Sequence, residues 1–182
     1  MPGVVPKELL DAAELLTSAG AEGDLLSEAR QRRATSTAYY AVFHAITARV
    51  AQTVFATADE AFARRVRRWI GHGDVATVAR WASQLEGTAG GSPPAHIQAL
   101  LAPADAVVHV DADTVLIADG FLALLDRRER ADYDHDAVFY WVDTNEHTRL
   151  ARQVVEVVES AESDAAKRFF GLVGMQARVQ QR

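Results

Sequence analysis

A chain of 182 residues, 49% of them hydrophobic, is sized for one domain with a continuous core, which excludes disorder over most of its length. The absence of cysteine excludes a disulfide framework, thiolate-bound zinc or iron–sulfur centres, and thiol nucleophiles. A formal net charge of -6 speaks against nucleic-acid binding by the surface at large. The arginines nevertheless cluster, as Arg30, Arg32 and Arg33, as Arg64, Arg65, Arg67 and Arg68, and as Arg127, Arg128 and Arg130. That pattern suits a protein that engages phosphate at one place, and equally suits helices with solvated outer faces. The opening Met1-Pro2-Gly3-Val4-Val5-Pro6-Lys7 has neither the basic region nor the apolar run of a signal peptide, and no later stretch is long enough to span a membrane. A cytoplasmic protein without membrane association is expected.

Strand signals are weak throughout. Leu9, Leu10, Ala13 and Leu16 predict a first helix from about Pro6 to Thr17, closed by the Gly20 to Gly23 turn. Asp24 is a candidate cap for a second helix, and no Gly or Pro interrupts the chain until Gly71, which allows one long helix or two separated near Thr57 and Asp59. Leu26, Ala29, Arg33, Ser36, Tyr40, Phe43, Thr47, Val50 and Val54 recur at steps of three and four, so one buried face is expected along them. Gly71-His72-Gly73-Asp74 breaks the helix, with Asp74 as the expected cap of a helix through about Leu85. Residues 87–94 read as a flexible loop, Ala95 to Leu101 as a short helix, and Asp111 to Arg130 as a longer one with Leu116, Ile117, Phe121 and Leu124 inward. After an acidic turn at Ala131 to Asp136, Asp143 or Thr144 is expected to cap a last long helix reaching Phe169.

Three segments carry a resemblance. Arg32-Arg33-Ala34-Thr35-Ser36-Thr37-Ala38-Tyr39-Tyr40-Ala41-Val42-Phe43-His44 resembles the second helix of HEPN domains, where an Arg, a small residue, a Tyr-Tyr pair and a Phe-His ending recur. Arg128-Glu129-Arg130-Ala131-Asp132-Tyr133 is similar to the Arg-x-x-Ala/Gly-Asp-Tyr segment that closes the penultimate helix in that superfamily. Between them, Arg68-Trp69-Ile70-Gly71-His72-Gly73 stands where many members have a His-Gly or His-Ser-Gly turn. The resemblance covers about residues 24–170, and the combination is far more specific than any one motif. It implies an all-α, up-down bundle of about five to six helices, with residues 1–182 forming one HEPN-like domain.

Many HEPN proteins are dimeric RNases that use an Arg followed, after four to six residues, by a His. This chain offers Arg128 with His135, Arg130 with His135, and Arg67 with His72. Ile117, Phe121, Leu124 and Arg128 follow helical steps, which puts Arg128 on the inward stripe and rotates Arg130 away, so Arg128 and His135 are the preferred catalytic pair. Cleavage by the ribose 2′-hydroxyl needs a group that titrates near neutrality and a cation for the phosphoryl oxygens; His and Arg supply these without a metal or cofactor. Arg130, Arg67, Arg68, His72 and Arg33 are candidate phosphate or RNA contacts, and Ser36, Tyr40, Asp132 and Tyr133 supporting residues. A purely structural reading also holds, in which Arg128 locks the bundle by pairing with Asp132 or with an acid of another helix and Tyr133 is an ordinary core aromatic with a satisfied hydroxyl.

The resemblance thus implies a metal-independent endoribonuclease, a toxin or antiphage defence effector acting as a homodimer. The alternative is a non-catalytic HEPN module that binds RNA, a nucleotide or a nucleotidyltransferase-like antitoxin.

Overall fold

A computed structural model describes residues 5–18, 27–55, 60–103 and 110–179. Among these, every element is helical: α1 (Pro6–Ser18), α2 (Ser27–Phe55), α3 (Glu60–Trp69), α4 (His72–Glu86), α5 (Ala95–Leu101), α6 (Ala112–Tyr133), α7 (Trp141–Ser160) and α8 (Asp164–Val179). Eight helices among the described residues replace the expected five to six. Part of the difference lies at the C-terminal end, where the anticipated last helix is two: α7 ends at Ser160, and the Ser163 hydroxyl accepts the Ala166 N–H at 3.1 Å to start α8. Arg49 holds that break by donating to the Ala161 carbonyl at 2.6 Å and pairing with Glu162. The expected caps Asp143 and Thr144 lie inside the first turn of α7, whose N-cap is Tyr140. Asp24 and the Gly20–Gly23 turn fall outside the described residues.

Helix α2 is the axle, packed against α1, α3, α6, α7 and α8. Its composition allows this, because Ala34, Ala38, Tyr39, Ala41, Val42, Ile46 and Val50 are all fully buried and point in several directions. The predicted stripe is therefore only partly the buried face. Ser36, Phe43, Thr47 and Val50 are inside, Tyr40 is half-buried, and Ala29, Arg33 and Val54 are exposed. A helix enclosed by five neighbours has no single apolar stripe for periodicity to find.

On α6, Ile117, Phe121 and Leu124 are fully buried, as their spacing predicts, and Leu116 is partly so. The Asp111 carboxylate caps the helix by accepting the Thr114 N–H at 2.8 Å. Gly120 lets α6 approach α7 closely: a Cβ there would lie 2.5 Å from Val154 Cγ2. The 87–94 loop, expected to be flexible, is tied to α4, with Thr88 N–H on the Ser83 carbonyl at 3.0 Å and Gln84 Nε2 on the Gly90 carbonyl at 3.1 Å. Gly87 supplies the left-handed turn that ends α4, at φ 76°.

Candidate functional site

The inner face of α2 and the last turns of α6 share a polar cluster. Ser36, almost fully buried, donates to Asp132 Oδ1 at 2.6 Å. Asp132 Oδ2 lies 2.7 Å from Arg128 Nε, an ion pair one helical turn apart whose N–H direction falls outside hydrogen-bond geometry. Arg128 Nη2 donates to the Tyr40 hydroxyl at 3.2 Å and the Tyr133 hydroxyl at 3.4 Å, and the guanidinium carbon sits 5.8 Å and 5.2 Å from those two ring centroids. Burial works against the Arg128 charge, but Tyr40 and Asp132 outweigh it and its pKa rises. Tyr133 itself is 68% exposed, so it covers Arg128 from outside and is no core aromatic.

His72 joins the same cluster from α4. The helix starts three residues earlier than expected: Gly71 is the N-cap, His72 the first helical residue, and the Asp74 carboxylate accepts the Gly71 N–H at 2.7 Å from the third position. The imidazole is half-buried, with its centroid 4.0 Å from that of Phe43 and Nδ1 2.6 Å from the Tyr39 hydroxyl. Burial lowers its pKa, and the charge of Arg128 lowers it further. His44 packs on Tyr40 and Phe43 through ring contacts at 6.4 Å and 5.6 Å; burial and the nearby Arg67 lower its pKa. Two imidazoles biased toward the neutral form thus lie on the Tyr40 and Phe43 rings, His72 within reach of the Arg128 charge and His44 within reach of the Arg67 charge.

His135 stands apart. It is exposed in the bend after α6, and no hydrogen bond or ring contact joins it to Arg128 among the described residues. Its acidic neighbours have separate tasks: Asp132 faces Ser36 and Arg128, while Asp134 Oδ1 accepts the N–H groups of Asp136 and Ala137 at 3.0 Å and 3.1 Å.

The bend is fastened by Arg32. Its Nη1 donates to the carbonyls of Ala131 at 3.1 Å and Asp134 at 2.8 Å, its Nη2 to that of Ala137, and its guanidinium lies 5.1 Å from the Phe139 ring centroid. It thereby satisfies carbonyls left open at the end of α6. Arg33, the expected contributor, is exposed and away from this cluster. Arg32 and Arg33 point about 100° apart on a helix, and the residue on the α6 side is the one adjacent to the predicted stripe. Tyr39 is equally absent from the site that spacing predicts: in a Tyr-Tyr pair only one ring can follow the Ser36–Tyr40 line, and the other fills the core. Of the remaining candidates, Arg130 and Arg68 are exposed and Arg67 is half-buried near His44.

No protein-family model matches the chain, and neither a curated protein nor a solved structure matches it.

Proposed function

We propose that the chain is a HEPN-like endoribonuclease that needs no metal, serving as a toxin or antiphage defence effector and working as a homodimer. The observation that supports this reading best is one guanidinium, Arg128, beside the Tyr40 ring and near enough to His72 to lower its pKa, with His44, also of lowered pKa, packed on the same Tyr40 and Phe43 rings. In that arrangement Arg128 holds the non-bridging oxygens of a phosphodiester. A neutral imidazole, for which His44 is the candidate, takes the proton of the ribose 2′-hydroxyl as its oxygen bonds to phosphorus. The bond to the 5′-oxygen breaks, that oxygen takes a proton from solvent water, and the products are a 2′,3′-cyclic phosphate and a 5′-hydroxyl. His135 belongs to this scheme only if it reaches the cleft of a second protomer.

A second reading, an RNA- or nucleotide-binding module or the partner of a nucleotidyltransferase-like antitoxin, is favoured by the Asp132 carboxylate, which already offsets the Arg128 charge. One assay separates the two. In EDTA, the purified chain should cleave single-stranded RNA to cyclic-phosphate ends, and Arg128→Ala should lower the rate by at least about 100-fold while the helical circular dichroism persists. His44→Ala should match that loss, and His135→Ala should match it only if a dimer completes the site. Binding without cleavage selects the second reading; neither binding nor cleavage removes both.

A further inference from the structure

The hydrogen bond between Tyr39 and His72 fixes more than a position. Tyr39 is fully buried, and its hydroxyl has one partner among the described residues, His72 Nδ1, at 2.6 Å. Burial lifts the phenol pKa well above its ordinary value, so the group stays protonated. Its single proton needs an acceptor. If the imidazole carried hydrogen on Nδ1, that buried O–H would have nowhere to point, which is costly in an enclosed site. Tyr39 is therefore the donor, Nδ1 the acceptor, and the neutral ring keeps its hydrogen on Nε2.

The other edge of the ring looks outward. His72 is half-buried, and Nε2 has no partner among the described residues, yet it is not one of the solvent-excluded polar atoms lacking a hydrogen bond. The groups facing this imidazole are Tyr39, Tyr40 and His44 from α2 and Arg128 from α6. None is an acid, and the ring also sits at the positive end of α4. Burial, Arg128 and His44 oppose a second proton, and the Arg128 charge favours an anion.

We infer that His72 is locked as the Nε2–H tautomer and acts as a neutral hydrogen-bond donor which, with Arg128, cradles the oxygens of one phosphate, rather than as an acid or base. The inference rests on the reading that Arg128 accepts phosphate, and it assigns the proton-accepting role to an imidazole other than His72. Protonation at Nδ1 would have to expel the Tyr39 hydrogen from its one acceptor among the described residues, so the ring resists charging.

Long-range proton–nitrogen spectra of the full chain with labelled histidine test this without any substrate. His72 should show a pyrrole-type Nε2 and a pyridine-type Nδ1 at pH 7 and should take its second proton only below the ordinary histidine value near 6.5. Tyr39→Phe should let the Nδ1–H tautomer appear and raise the pH at which the ring takes its second proton. An Nδ1–H tautomer, or titration near the ordinary value in the parent protein, overturns the inference. A DNA oligonucleotide, which lacks the 2′-hydroxyl and so binds without reacting, should then shift the Nε2–H resonance at pH 7. Oligonucleotide binding that leaves Nε2–H unshifted overturns the donor role alone, whereas no binding to DNA or RNA removes the phosphate-site reading with it. Among variants, His72→Gln should bind the oligonucleotide within about threefold of the parent because it keeps a side-chain N–H, and His72→Leu should bind roughly 10-fold more weakly. Equal binding by both variants contradicts the cradle.

Discussion

The Ser36 hydroxyl donates to Asp132 at 2.6 Å, joining the middle of α2 to the last turn of α6. That bond decides how the Asp132 carboxylate is presented, and the carboxylate in turn sets the Nε side of Arg128. A buried serine on a long helix is thus part of the geometry of a guanidinium 92 positions later.

Ser36→Ala should destabilise the protein by roughly 1–2 kcal/mol, the usual cost of removing one partner from a buried, charge-assisted hydrogen bond. Urea unfolding measures this as a lower midpoint at unchanged slope. The same variant should weaken RNA binding less than Arg128→Ala does, since the guanidinium keeps Tyr40 and Tyr133.

Arg32 donates to three carbonyls across Ala131–Ala137, a task for a planar fork that a lysine ammonium cannot repeat. Arg32→Lys should cost about 2 kcal/mol locally, and native-state amide exchange should speed up across residues 134–139 far more than in the middle of α2. Equal acceleration in both regions would mean that Arg32 supports the whole bundle and does not fasten the bend.

His44, His72 and His147 all have lowered pKa values in the fold, chiefly through burial, with Arg67, Arg128 and Arg127 respectively adding to the effect. Unfolding returns each to the ordinary histidine value near 6.5, so the unfolded chain binds more protons between that value and the depressed folded ones. Their contribution to stability is complete above about pH 6.5 and is lost as pH falls below it. Denaturant midpoints should decline from pH 7 to pH 5 at fixed ionic strength. His147→Gln, which keeps a polar partner for Thr35, should shallow that decline.

The all-helical character was legible in the sequence wherever one face of a helix is buried. Leu10 and Ala13 on α1, and Ile117, Phe121 and Leu124 on α6, are buried as their spacing implies. Periodicity failed on α2, where neighbours on several sides erase the single stripe, and at Ala161–Ser163, where no Gly or Pro marks the break and a long-range arginine, Arg49, holds the turn. The site was half legible. Arg128, Ser36, Tyr40 and Asp132 could be grouped because helical steps put them on facing lines. The Tyr39–His72 bond and the Arg32 clamp link residues 33 and about 100 positions apart, a pairing that only tertiary packing creates, with α6 packed against both α2 and α4.

Binding of single-stranded RNA, followed by anisotropy over a range of salt concentrations, tests the central claim that Arg128 meets a phosphate. Each phosphate contact on a single strand contributes about 0.7 to the slope of log affinity against log salt, so Arg128→Gln should flatten that slope by about this amount and weaken binding at low salt. An Arg128→Gln protein with the parent's slope and affinity would contradict the assignment of this cluster as the phosphate site.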